Sequence, residues 1–298
     1  VKNPMSVEVF DVEKSTFFEE KIPSEEILRF LYSDSSYSSK FLKNGLSRIK
    51  IASILFGKIA KMGWTKKYID PFIKDHNIKM DDFENKSYLS FNDFFMRRID
   101  PLKRALSEDG VISPCDARTL FYQDLSLIPS FYVKGQTLSL TALLKNPVLS
   151  DLFADGSMMI SRLAPVDYHG FHFPTDVEFI SSTLINGPLF SVNPIALRHN
   201  VDLLTENKRL LISLKSKVLG NIVQVVIGAT TVGTIHIEKE VGKFYKKGEV
   251  LGFFSFGGSM VITLFEKNRV TFNKRWVELT NDNKEVLIKM GSSILHHD

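Results

Sequence analysis

The spacing of apolar residues along this chain changes twice. VEVFDVEKSTFFEE, Val7 to Glu20, sets apolar residues among charged ones around a polar middle, which predicts a short hairpin. From Ile27 to about Met96 apolar residues recur three and four apart, as in Ile27, Phe30 and Leu31 and then Leu42 and Leu46, the period of helices. After about Glu108 that period fades. TLFYQ, SMMISRL, EFISSTLI, RLLISLKS, IVQVVIGATTVGTIHI, VLGFFSF and MVITLF are runs rich in β-branched and aromatic residues, with Gly, Pro and Asn between them. SLTALLKN interrupts them with helical spacing. The prediction is an α+β protein, a helical N-terminal region (residues 1–108) packed on a β-rich, mostly antiparallel domain (residues 109–298).

Composition narrows the class. The 298 residues are 44% hydrophobic and 24% charged, the balance of a globular chain that buries a core. A single cysteine, Cys115, excludes an internal disulfide framework. The formal charge of +4 favours an anionic partner. Its distribution says more. Between Lys40 and Lys67 stand Lys40, Lys43, Arg48, Lys50, Lys58, Lys61, Lys66 and Lys67 with no acidic residue among them. Isoleucines, Leu55, Phe56, Met62 and Trp64 are interleaved. A basic amphipathic helix with a tryptophan near one end suits an anionic lipid surface, with Arg48, Lys50, Lys58, Lys61 and Trp64 facing it. The plain alternative is a core helix with a solvated basic face. No run of about 18 apolar residues predicts a membrane-crossing helix, and the opening segment lacks the apolar centre of a signal peptide. A soluble or surface-bound protein is expected.

Three clusters in the β-rich part could carry chemistry. SPCDA places Asp116 after a proline turn, RLAPVDYHGFHFPTD is dense in Asp, Tyr and His, and FSFGGSMVITLF sets Ser259 between two glycines and a buried strand. His169 and His172 could ligate a metal with His199 or His236, could be structural, or could transfer protons. On a strand, an offset of three turns the two rings to opposite faces. Asp116, a histidine of the second cluster and Ser259 also supply the parts of a nucleophilic triad, in which a base activates the hydroxyl and a carboxylate orients the base. Glycines with a turn serine have an ordinary structural meaning as well.

In combination these clusters resemble the phosphatidylserine decarboxylase proenzymes over nearly the whole chain. SPCDA resembles that family's S-P-x-D-G, RLAPVDYHGFHFP its R-L-x-P-x-D-Y-H-R-x-H-x-P, and GFFSFGGSM its G-x-F-x-x-G-S-T. SFNDFFMRRIDPLKRAL, LFSVNPIAL, TENKR and VIGATTVGTI match further elements in the same order. The resemblance implies self-cleavage between Gly258 and Ser259 into chains 1–258 and 259–298, with Ser259 becoming a pyruvoyl group. Asp116, His172 and Ser259 would form the charge relay for cutting. The pyruvoyl group would form a Schiff base with phosphatidylserine and serve as electron sink while carbon dioxide leaves, giving phosphatidylethanolamine. His169 would return the proton.

The implied partners are an anionic phospholipid membrane, the substrate and the protein's own two chains. A homodimer is left open and no nucleic acid is expected. The implied location is the cytoplasmic face of a bacterial-type cell membrane, with an organelle membrane as the alternative. Ala117, Gly170 and Met260 depart from the family pattern, where Gly, Arg and Thr are usual. A serine hydrolase using the same three residues and a non-catalytic membrane-binding module are the competing readings.

Overall fold

The computed structural model describes residues 7–20, 58–128, 137–190, 192, 194–228, 235–255, 257 and 259–296. The expected hairpin forms from β1 (Val7–Asp11) and β2 (Thr16–Glu20), with Ser15 at φ 53° in its turn. Next come β3 (Ala117–Tyr122), β4 (Ser157–Leu163), β5 (Gly170–His172), β6 (Val177–Ile185), β7 (Arg209–Ser216) and β8 (Gly220–Gly228). They are followed by β9 (Ile235–Ile237), β10 (Phe244–Tyr245), β11 (Val250–Phe254), β12 (Ser259–Phe265) and β13 (Glu285–Ile288). The fold class is α+β.

Ten strands form one sheet in the order β10-β6-β7-β8-β12-β4-β3-β13-β1-β2, and β5-β11-β9 form a second. Neighbours are antiparallel except β1 and β13, which run parallel. Strand β12 lies inside the large sheet, paired with β4 on one side and β8 on the other. Its Met260, Ile262 and Leu264 enter a core with Leu143, Leu144, Phe153 and Leu204. Its Val261 and Phe265 enter the opposite core with Phe171 and Phe254 of the small sheet and with Phe173, just past β5. Burial on both faces explains why MVITLF is a continuous apolar run rather than an alternating one. By the same alternation, Ser259 points toward the small sheet.

Two runs behave differently from their sequence pattern. IVQVVIGATTVGTIHI does not stay in one sheet, because β8 belongs to the large sheet and β9 to the small one. The described part of the helical region, residues 58–96, is broken into short pieces rather than one long amphipathic helix. A 3-10 helix spans Gly63–Tyr68, and α-helices span Ile69–Asp75 and Phe91–Phe95. The first α-helix stops where Asn77 takes φ 50°, outside the helical region. Ser90 caps the second, its hydroxyl accepting from Asp93 N at 3.2 Å. Thr65 Oγ1 accepts from Phe91 N at 3.0 Å and so ties the 3-10 helix to that cap. Residues 40–57, with Arg48 and Lys50, lie outside the described residues.

SLTALLKN becomes a helix at Leu140–Leu144, capped by Ser139. Lys274–Asn281 is helical too, and its Trp276 and Leu279 pack into the core shared with the small sheet.

Candidate active site

The chain leaves the small sheet at the end of β11 and enters the large sheet at Ser259, so four residues carry it from one layer to the other. Gly257 bends with φ 138°, a conformation that side chains disfavour. Gly258 lies outside the described residues. Ser259 is fully buried, with its backbone paired to Leu163 and Gly228. Its hydroxyl reaches Gly257 O at 3.4 Å, a long bond that leaves the oxygen loosely held.

The DYHGFH segment is fixed from below by charge. Asp167 accepts from Ala164 N at 2.7 Å and from the Arg118 guanidinium. Arg118 also meets Glu20 of the hairpin at 2.6 Å, and Arg162 bonds both Glu20 and Glu285. Burial raises the Glu20 pKa, but Arg162 and Arg118 outweigh it and hold the carboxyl below its ordinary value. Two cross-strand arginines, Arg118 and Arg162, thus sit buried against three carboxylates.

The carbonyl of Asp167 accepts from Arg97 Nη2 at 2.8 Å and from His169 Nδ1 at 3.0 Å. A carbonyl can only accept, so Nδ1 carries the proton and Nε2 of His169 presents a bare lone pair. That Nε2 is buried and, among the described residues, has no hydrogen-bond partner. The ring lies against Phe95, centroids 3.7 Å apart. Burial pushes its pKa well below the ordinary value and keeps it neutral. Phe254 N donates to His169 O at 2.9 Å, which joins this histidine to the last residue of β11.

His172, at the other end of β5, faces a different environment. Its Nδ1 donates to Gly248 O at 2.8 Å, and its Nε2 is 2.8 Å from the Tyr168 hydroxyl. Burial lowers its pKa to about 4. The two rings therefore have separate partners, as an offset of three on a strand requires. His236 bonds Ser255 Oγ through Nε2 at 2.9 Å, and the side chain of His199 lies outside the described residues. Among the described residues, no group of three or more His, Cys, Asp and Glu could hold a metal ion.

Asp116 stands just before β3. Its carboxylate accepts from the Arg104 guanidinium and, at 2.7 Å, from Met290 N. His172 N donates to Pro114 O at 2.8 Å, so the backbones of the SPCDA and DYHGFH clusters are joined. Arg162 pairs with Arg118 on one side and Met260 on the other, which sets Asp116 and Ser259 about two strand spacings, roughly 10 Å, apart. The structure gathers Asp116, His169, His172 and Ser259 at one end of the two sheets. It does not bond Asp116, His172 and Ser259 to one another, because each side chain has the partners just named.

Several site residues were not visible in the sequence. Arg97 is buried with its guanidinium between Phe83 and Phe94, 4.6 and 4.9 Å from their ring centres. Arg104 pairs with both Asp116 and Asp82. Both lie in FFMRRIDPLKRAL, where the density of basic residues among aromatics was the available signal. Gly248 O and Met290 N act through the backbone and leave no such signal. Of the surface residues, Lys58 and Lys61 are exposed and Trp64 is 52% exposed. Among the described residues, no helix is long and apolar enough to cross a membrane.

Residues 91–296 match the family model for phosphatidylserine decarboxylase. The chain is 38% identical over 255 residues to the phosphatidylserine decarboxylase proenzyme of Chlamydia muridarum, covering 84% of each chain. It is 38% identical over 274 residues to the protein of that name from Chlamydia caviae, covering 91% of each. With the Clostridium novyi protein of that name it shares 36% identity over 292 residues, 97% of this chain and 98% of the relative. A family model spanning more than half of the chain and relatives aligned along most of their length agree. The chain belongs to the phosphatidylserine decarboxylase family of carboxy-lyases.

Proposed function

We propose that this protein cuts itself between Gly258 and Ser259 and then decarboxylates phosphatidylserine to phosphatidylethanolamine. The observation that carries the reading is a buried, loosely held serine just after a glycine bend, facing the small sheet whose β5 is flanked and ended by two neutral histidines. Ser259 Oγ attacks the Gly258 carbonyl and converts the amide into an ester. Loss of the Cα proton then expels the Gly258 carboxylate and leaves a dehydroalanine, which water converts to a pyruvoyl group with release of ammonia. His172 takes the serine proton at Nε2 once the Tyr168 hydroxyl has swung off that nitrogen. Asp116, whose cluster is bonded to the His172 backbone through Pro114, supplies the negative charge for the imidazolium that forms.

A carbonyl at position 259 fits its surroundings. The position is buried, and His169 offers a buried nitrogen with no hydrogen-bond partner among the described residues, its ring already oriented through Nδ1. A pyruvoyl group there would supply the electron sink for the carbanion left when carbon dioxide departs. His169 Nε2 takes up a proton from water and delivers it to that carbon. Burial makes a protonated His169 a strong donor. The substrate is reached at an anionic bilayer, where the exposed Lys58, Lys61 and Trp64 support docking.

Ser259→Ala tests the reading. The variant should run as one uncut chain and release no carbon dioxide from phosphatidylserine vesicles, while the wild-type protein runs as two fragments. An active Ser259→Ala protein, or an intact wild-type chain captured by a fluorophosphonate, would replace it with a different chemistry.

A further inference from the structure

We propose that His236 is a positioning residue of self-cleavage, pinning through Ser255 the upstream end of the crossing that carries the scissile bond. His236 lies in β9 and pairs with Phe253 of β11. At that register Ser255, two residues past Phe253, is the diagonal neighbour of His236. Its hydroxyl lies 2.9 Å from His236 Nε2. Ser255 is only 6% exposed, so its side of the bond is not traded against water. Met96 Sδ stands 4.0 Å from the same hydroxyl, just past the helix end that sets Phe95 against His169. Burial, helped by Lys61 and opposed by Glu238, holds the His236 pKa below its ordinary value. The neutral ring pairs with a hydroxyl in either tautomer, because a serine both donates and accepts.

The pin has a firm base. Gly252 lets the backbones of β9 and β11 meet, since a Cβ there would stand 2.2 Å from His236 O and 2.7 Å from Phe171 Cζ. On the other side, Phe254 N donates to His169 O at 2.9 Å. The end of β11 is thus held from both flanks. Beyond Ser255, three residues (256 to 258) carry the chain to Ser259, whose backbone is paired with β4 and β8. A crossing fixed at both ends has fewer arrangements to search before a hydroxyl meets the carbonyl behind it. The Ser259 hydroxyl, 3.4 Å from Gly257 O, already faces back along this crossing. His236 acts through Ser255 rather than on the reacting atoms. A histidine that the sequence offered as a metal ligand therefore has a different use.

The inference rests on the reading of self-cleavage before Ser259, and not on which histidine is the base. Cell-free synthesis of the full chain, followed on denaturing gels, gives the cutting rate. Ser255→Ala removes one oxygen and should cut about fivefold more slowly, within the worth of one buried hydrogen bond. His236→Phe keeps a ring, removes the nitrogen and should be slowed alike. The double variant should be no slower than the slower single one, because both remove the same contact. Carbon dioxide release per mole of cut chain should stay at the wild-type level in all three, since the cut frees the crossing at its downstream end. Wild-type cutting by both single variants, while Ser259→Ala stays whole, overturns the proposal and leaves self-cleavage standing. A fall in carbon dioxide release per cut chain that matches the slowing would mean general distortion of the site and overturns it too. A wild-type chain that never cuts overturns both readings.

A second measurement needs no cutting. In ring 15N spectra of the uncut Ser259→Ala chain, the His236 Nε2 signal should move when Ser255→Ala is added. A signal that stays in place contradicts the bond.

Discussion

In the proposed reaction, buried histidines set both the chemistry and the acid sensitivity of the site. An unfolded histidine takes up a proton near pH 6.5, whereas His172 does so only at about pH 4 in the folded chain. Between those values the unfolded state binds more protons, so stability present above pH 6.5 is lost as the pH falls through 4. The shift corresponds to about 3 kcal/mol, at ~1.4 kcal/mol for each pKa unit. Urea unfolding of uncut Ser259→Ala at pH 7 and pH 4.5 should register much of that loss, and His172→Gln should reduce the dependence, leaving the part that the equally buried His169 contributes. The paired carboxylates Glu20 and Asp82 titrate lower and do not share this window. Equal stability at the two pH values would mean that His172 is hydrated or charged. The sequence pointed to these residues as candidates, because Asp, His and Ser stand in dense local clusters. Their partners were not legible. Gly248 O lies 76 positions from His172, and Arg104 and Met290 reach Asp116 from elsewhere.

At the scale of elements, the segment around Trp64 separates structure from function. Thr65 is buried and bonds Ala60 O, Met62 O and Phe91 N, while Lys58, Lys61, Met62, Trp64, Lys66, Lys67 and Tyr68 are exposed around it. Lys67 lies over the Trp64 and Tyr68 rings at 5.5 and 5.1 Å. An exposed tryptophan amid cations is costly to leave in water and suits a headgroup layer. Lys58→Glu combined with Lys61→Glu should weaken binding to phosphatidylserine-containing vesicles at least tenfold, since each cation contributes about 1 kcal/mol there. Self-cleavage should be unchanged. Undiminished vesicle sedimentation would assign this surface to plain solvation. The strands were legible here, because their β-branched runs are long and bounded by turn residues. The joining of β1 to β13, and the burial of Glu20 between Arg118 and Arg162, depend on residues nearly a hundred or more positions apart and were not.

Over the whole molecule, the sheet order determines what self-cleavage can release. The stretch after Ser259 supplies β12, held between β4 and β8, and β13, held between β3 and β1. Its helix, Lys274–Asn281, is sealed into the core by Trp276 and Leu279. Cutting before Ser259 therefore leaves two interleaved chains, and both fragments should elute together from a native sizing column. Free short chain would mean that the sheet opens on cleavage.

The most direct test is the mass of that short chain after denaturation. Proteolytic mapping and intact-mass measurement of freshly purified protein should find a fragment beginning at position 259, lighter by one ammonia than an N-terminal serine requires, and refractory to Edman degradation. A single unbroken chain with an unmodified Ser259, still able to decarboxylate phosphatidylserine, would contradict the account.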